Sequence, residues 1–325
     1  MGPRAQPRPP RPAAAPRHLL PVIPPASMLK KLLFLLLSAG LLPGLARAQE
    51  GRITGRVVNQ ATKDPVAFAS ISLRDEGTGA LTNEYGYFQL AMPERSLDDS
   101  IVVEALGFRR TAIRVKRGAN MEDLIIELPK QTVQLAEVTV KAAQMKPALL
   151  GAHTTSPGMG MIQGLPGSQY AALMKNDKQK KFGYIRSVSF YIGENGFPRE
   201  PFRVRLYRAD GNYNAPNSDL LLDNVVVSAA RGGGWFDVDL TSYNIPAPDE
   251  GFYVAMEWIV SGDKFYTTNF MDNYTPYGQI LRPTFEFKDS RTWLYAIGRG
   301  WSLITLANGA SRYNAMIRAE VDATK

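Results

Sequence analysis

At 325 residues the chain is too long for one average domain and suits about two. Its formal charge is +8, but seven of the 38 basic residues and none of the 30 acidic ones lie in residues 1–48. Residues 49–325 therefore carry 31 basic against 30 acidic groups, which removes the electrostatic case for a nucleic-acid partner. The absence of cysteine excludes disulfides, thiolate nucleophiles, thiolate metal sites and a lipid-bearing N-terminal cysteine. His153 is the only histidine beyond the leader, so His-based zinc chemistry lacks its ligands and no metal or other cofactor is expected.

Residues 1–27 are rich in Pro and Arg and cannot pack. They read as a disordered extension, or as a start-site artefact if translation begins at Met28. From Met28 the order is that of a secretion signal: Lys30 and Lys31, an apolar run over residues 32–42, then Ala46-Arg47-Ala48 as the cleavage site. The run is shorter than the about 20 residues a spanning helix needs. No other apolar stretch approaches that length, so the mature chain is expected to lack a transmembrane span. Export to the periplasm, the outer membrane or the exterior is expected, with residues 28–48 removed and Gln49 first.

Residues 51–59 (GRITGRVVN) read as a strand, followed by a turn at Asp64-Pro65. Residues 67–73 alternate, with Ala69, Ile71 and Leu73 on one face. Further strands are expected over 87–91, 100–105, 111–115 and 124–128. Short strands at regular spacing predict an antiparallel sandwich over residues 50–140. The run GRVVNQATKDPVAFASISL, then TNEYGYFQL, then LGFRR resembles the carboxypeptidase-like regulatory domain. That resemblance implies a seven-stranded, transthyretin-like sandwich that does no chemistry and serves as a structural or docking module, as at the front of exported outer-membrane proteins. Peptidase activity is not implied, because the zinc ligands of such carboxypeptidases include histidines this chain does not have. Gly86 is expected to supply an unusual backbone angle, Phe88 and Leu90 to fill the core, and Asn83 and Glu84 to shape a turn.

Residues 132–141 (TVQLAEVTVK) resemble the segment that follows this domain in TonB-dependent transporters, here a last strand or a tether. The remaining chain lacks a transporter's series of barrel strands. Residues 141–179 are Gly-, Pro- and Met-rich and read as a connector, with one helical turn near 170–175. Gly158-Met159-Gly160 is not followed by a strand-to-helix pattern, so it is no nucleotide loop.

Strands resume over 185–192 and 202–207, where Phe202, Val204 and Leu206 alternate with Arg203, Arg205 and Tyr207. Others are expected over 220–227, 235–240, 252–259, 265–270, 284–287, 292–296, 302–305 and 315–321. This series predicts a jelly-roll-like sandwich over residues 180–325, and an all-β fold class for the chain. Its pattern looks like the C-terminal half of exported proteins of Bacteroidetes-type bacteria, which implies architecture and no activity. Asp210-Gly211-Asn212-Tyr213-Asn214 resembles the opening of an EF-hand loop, but Ala215 and Leu221 stand where that loop needs Gly and Glu.

Asp237 and Asp239 share a strand face with Trp235. Paired carboxylates hydrolyse glycosides when a cleft sets them about 5–10 Å apart, and a solvated pair does nothing. An exposed indole beside acceptors suits a sugar ring. Trp293, Trp301 and the Tyr-rich stretch 266–277 pose the same choice between ligand and core. Glu257, between Met256 and Trp258, would have a raised pKa if partly buried, and an Arg partner would reverse that. The resulting expectation is an exported, non-catalytic cell-envelope protein that binds or scaffolds, with a glycan or an outer-membrane protein as partner. The alternative is a carbohydrate-binding or carbohydrate-processing accessory protein using the second sandwich, which a concave cleft lined by tryptophan and two carboxylates would favour.

Overall fold

The computed structural model describes residues 51–73, 79–92, 100–115, 121–131, 145–259, 278–305 and 313–324. The expected secretion signal, the segment 132–141, the strand expected over 265–270 and the stretch 266–277 lie outside the described residues.

Among the described residues seven strands build the first sandwich: β1 (Gly51–Asn59), β2 (Ser70–Leu73), β3 (Gly79–Leu81), β4 (Tyr87–Met92), β5 (Ser100–Glu104), β6 (Thr111–Arg114) and β7 (Leu124–Leu128). They form two sheets, ordered β4-β1-β7 and β3-β2-β5-β6. Alternation sends every second side chain inward. Ile53, Val57, Ile71, Leu73, Leu90, Ile101, Val103, Ile126 and Leu128 meet between the sheets with Phe88. Each such side chain contributes about 1.5–3 kcal/mol by leaving water. Gly86 has φ +78°, and a Cβ there would lie 2.5 Å from the Val57 carbonyl oxygen. The Asn83 side chain accepts from the backbone N–H groups of Tyr85 and Tyr87, so Asn83 holds the turn as expected.

The second sandwich begins earlier than residue 180. Its strands are β8 (Met145–Gly151), β9 (Gln169–Met174), β10 (Phe182–Gly196), β11 (Phe202–Arg208), β12 (Val226–Val227), β13 (Gly234–Asp239), β14 (Phe252–Trp258), β15 (Gln279–Leu281), β16 (Pro283–Thr284), β17 (Thr292–Ala296), β18 (Gly300–Leu303), β19 (Asn314–Ala315) and β20 (Ile317–Thr324). One sheet runs β13-β10-β20-β8 with β15 beside β10, and the facing sheet runs β12-β11-β14-β9-β17-β18. Two segments read as connector are thus strands. β9 lies between β14 and β17, and this pairing overrides the helix preference of its Ala, Leu and Met residues. β8 pairs along β20. The strand expected over 220–227 shrinks to Val226–Val227, with an isolated bridge between Tyr207 and Asp219 ahead of it. That expected over 284–287 ends at Thr284, whose hydroxyl accepts from the Glu286 N–H.

The core of this sandwich holds Phe190, Phe202, Val204, Leu206, Met256, Trp258, Ile317 and Val321. β14 is buried on both faces, as a central strand requires. Its inner face enters that core, and its outer face carries Glu257. Residues 50–325, both sandwiches together, make one compact unit. Among the described residues no helix is long and apolar enough to cross a membrane.

Candidate functional site

Strand register places a row of unlike side chains across the outer face of the six-stranded sheet. Arg203 pairs with Glu257, Glu257 with Gln169, Gln169 with Tyr295 and Tyr295 with Trp301. In the next row Ala255 and Ala171 lie between Arg205 and Trp293. The two alanines leave space that the longer side chains overhang.

Glu257 is 2% exposed and fully ionically partnered. Arg203 grips it with two bonds, Nε to Oε2 at 2.9 Å and Nη2 to Oε1 at 2.6 Å. Arg205 donates from Nη1 to Glu257 at 3.1 Å and from Nη2 to Asp219 at 2.7 Å. Burial pushes the Glu257 carboxyl up, but the two guanidiniums more than offset it and hold the group below its usual range. Of the two readings open for Glu257, the arginine-paired one is what the structure holds: its arginine partners win over desolvation. Burial would lower the pKa of Arg205, yet Asp219, Tyr207 and Glu257 hold it well above its usual value. The Arg205 Nε has no hydrogen-bond partner, although the residue is only 8% exposed.

The first sandwich meets this face at a few points. Arg203 Nη2 donates to the Phe68 carbonyl at 3.1 Å, and its guanidinium lies 5.7 Å from the Phe68 ring. Phe68 adopts φ +55°, an uncommon angle for a bulky residue, which marks a place where neighbours dictate the backbone. The Tyr295 hydroxyl donates to Glu104 at 3.3 Å. Gly79 and Gly167 both face Ile297 so closely that a Cβ on either would collide with its side chain. Between these contacts a cleft of about 720 Å³ remains, with Phe68 and Glu104 on one wall and Gln169, Arg205, Asp219 and Trp301 on the other.

Of the residues singled out from sequence, Glu257 and Trp301 line this cleft. Trp293 sits on the same sheet face but packs with Ala171, Tyr253 and Ala255. Trp235, Asp237 and Asp239 belong to β13, in the opposite sheet. The Trp235 indole, expected to be exposed, is half-buried: Arg318 lies 4.0 Å over its ring and Tyr191 packs edge-on. Asp237 is exposed, 3.6 Å from Arg318. Asp239 accepts from the backbone and hydroxyl of Thr241, and these bonds hold it below the usual carboxylate range. The six candidates are thus divided between two sheets. Arg203, Arg205 and Tyr207 were not singled out. Their signal was the alternation of charge and aromatic with apolar residues over 202–207, on a strand partnered by one that carries a lone Glu.

Among the described residues no group of three or more His, Asp or Glu side chains is placed to hold a metal ion.

Bacillopeptidase F of Bacillus subtilis (strain 168) is 26% identical over 284 residues, a match covering 86% of this chain. The chain spans only 17% of the length of that curated relative. Two solved structures are similar at 11% identity. One is of the cysteine protease and lectin-like domains of Cwp84, a surface layer associated protein of Clostridium difficile; its TM-score is 0.33, over 85% of this chain and 59% of that one. The other is a membrane-associated protein of unknown function from Bacteroides fragilis, with a TM-score of 0.20 over 84% of this chain and 96% of that one. Residues 53–140, the region of the first sandwich, match the model of the CarboxypepD_reg-like domain, the family that the sequence resembles there.

Proposed function

We propose that this is an exported, non-catalytic cell-envelope binding protein, with the cleft between its sandwiches as the binding site. The observation that carries the reading is how the cleft carboxylates are used. Glu257 is held by two arginines and Asp219 by one, so both are committed to the fold, while Glu104 at the cleft's exposed edge pairs with Arg110 at 2.9 Å. A general acid or base needs a carboxylate free to exchange its proton near working pH. Glu257 is held ionised instead. The other carboxylate pair, Asp237 and Asp239, lies on the opposite sheet beside a tryptophan whose ring Arg318 covers. The CarboxypepD_reg-like domain fits a scaffolding part, since it supplies one wall of the cleft.

Export is tested by expressing the full reading frame in a Gram-negative host and sequencing the N-terminus of the envelope fraction. The expected mature chain begins at Gln49 and sits in the periplasmic or outer-membrane fraction. Intact chain confined to the cytoplasm would overturn the export.

A further inference from the structure

We infer that the cleft between the sandwiches binds a neutral polyhydroxylated ligand, a glycan chain. This rests on the reading of the protein as a non-catalytic binder and names the ligand class of that same site.

Charge is the first argument. The cleft is lined by four guanidiniums, of Arg110, Arg203, Arg205 and Arg208, against four carboxylates, of Glu104, Asp210, Asp219 and Glu257. The carboxylates are already answered. Glu104, Asp219 and Glu257 are paired with arginines, and Asp210 accepts from the Ser218 N–H at 2.9 Å. An anion entering here meets carboxylates, and a cation meets guanidiniums, with no net field to favour either. Electrostatic balance selects a ligand without charge.

Hydrogen bonding is the second. The exposed part of the lining carries neutral groups that both donate and accept, the amides of Gln131 and Asn217 and the hydroxyl of Ser218. Sugar hydroxyls also donate and accept, and they answer such groups without bringing charge.

Apolar contact is the third. Trp301 is half-buried beside Tyr295, ring centroids 5.2 Å apart, and Phe68 and Phe108 come from the other sandwich. Aromatic walls with interspersed hydroxyl and amide partners match a sugar, whose ring has C–H faces and a hydroxyl rim. The volume, about 720 Å³, falls in the ordinary range for small-ligand pockets.

The test is isothermal titration of the full chain with neutral hexaoses (cello-, xylo-, malto- and chito-) and with oligogalacturonate as the anionic arm. Binding of at least one neutral hexaose at one site per chain is expected. Asn217→Trp, at an exposed position on the cleft rim, and Trp301→Ala should each weaken it by about tenfold or more. Trp235→Ala, on the opposite sheet, should leave it unchanged. Circular dichroism of each variant checks the fold, and two independent variants keep the result readable if one unfolds. Binding of oligogalacturonate alone, loss in Trp235→Ala with retention in the cleft variants, or no neutral binding would overturn the inference. Release of new reducing ends from a bound hexaose would instead overturn the non-catalytic reading while leaving the ligand class standing.

Discussion

Arg203 does three things with one guanidinium: it grips Glu257 twice, donates to the Phe68 carbonyl and faces the Phe68 ring. Its partner Glu257 is buried, so the pair cannot be treated as a surface salt bridge of small consequence. Removing one side of such a pair leaves an uncompensated buried charge and costs about 3–5 kcal/mol. Glu257→Gln should therefore lower the urea midpoint strongly, whereas Asp237→Asn, at an exposed position, should change it little. A small effect of Glu257→Gln would show that the pair is solvated. The same residue sets a pH dependence. The folded carboxyl sits below its ordinary value of 4.5, so its stabilisation is full above that value and is lost as pH falls through the folded one. Asp289 and Asp249, also held below the ordinary value against a burial effect that raises them, act in the same direction. Stability measured from neutral pH downward should fall once pH drops below about 4.5, and less steeply in Glu257→Gln. Equal slopes would contradict this assignment.

At the scale of elements, alternation alone placed β1 and β7 to the residue and put Ala69, Ile71 and Leu73 on the buried face. It failed at β9, because its residues favour helix locally and its partners, β14 and β17, lie far along the chain. It also told which residues share a face without telling which sheet the strand joins. That is why Trp235 and Trp301 looked equivalent in sequence and end on different sheets. Glu257 was legible as an anomaly in an apolar strand. Its answer, Arg203, stands 54 residues away and only strand register brings the two together. Turn chemistry was the most readable feature. Gly86→Ala would force φ +78° on a residue with a Cβ and drive that Cβ toward the Val57 carbonyl. A cost of about 1–3 kcal/mol is expected in chemical unfolding. A stabilised or unchanged protein would mean that the turn relaxes freely.

At the scale of the whole molecule, the two sandwiches are joined by specific close contacts rather than by a tether alone. Ile297 of the second sandwich presses on Gly79 of the first, where no side chain fits. Gly79→Val should wedge this joint and raise protease sensitivity between the sandwiches, with both cores still folded by circular dichroism. A protease pattern identical to that of the parent would argue that the contact does not hold them together. The joint gives the cleft its shape, and the proposed binding role rests on that cleft. Hydrogen–deuterium exchange of the full chain, with and without the neutral hexaose mixture, tests that directly. Protection is expected at residues 68–70, 104–108, 169, 217–219 and along β18. Protection centred on Trp235–Asp239 of β13, or none in either place, would contradict the account.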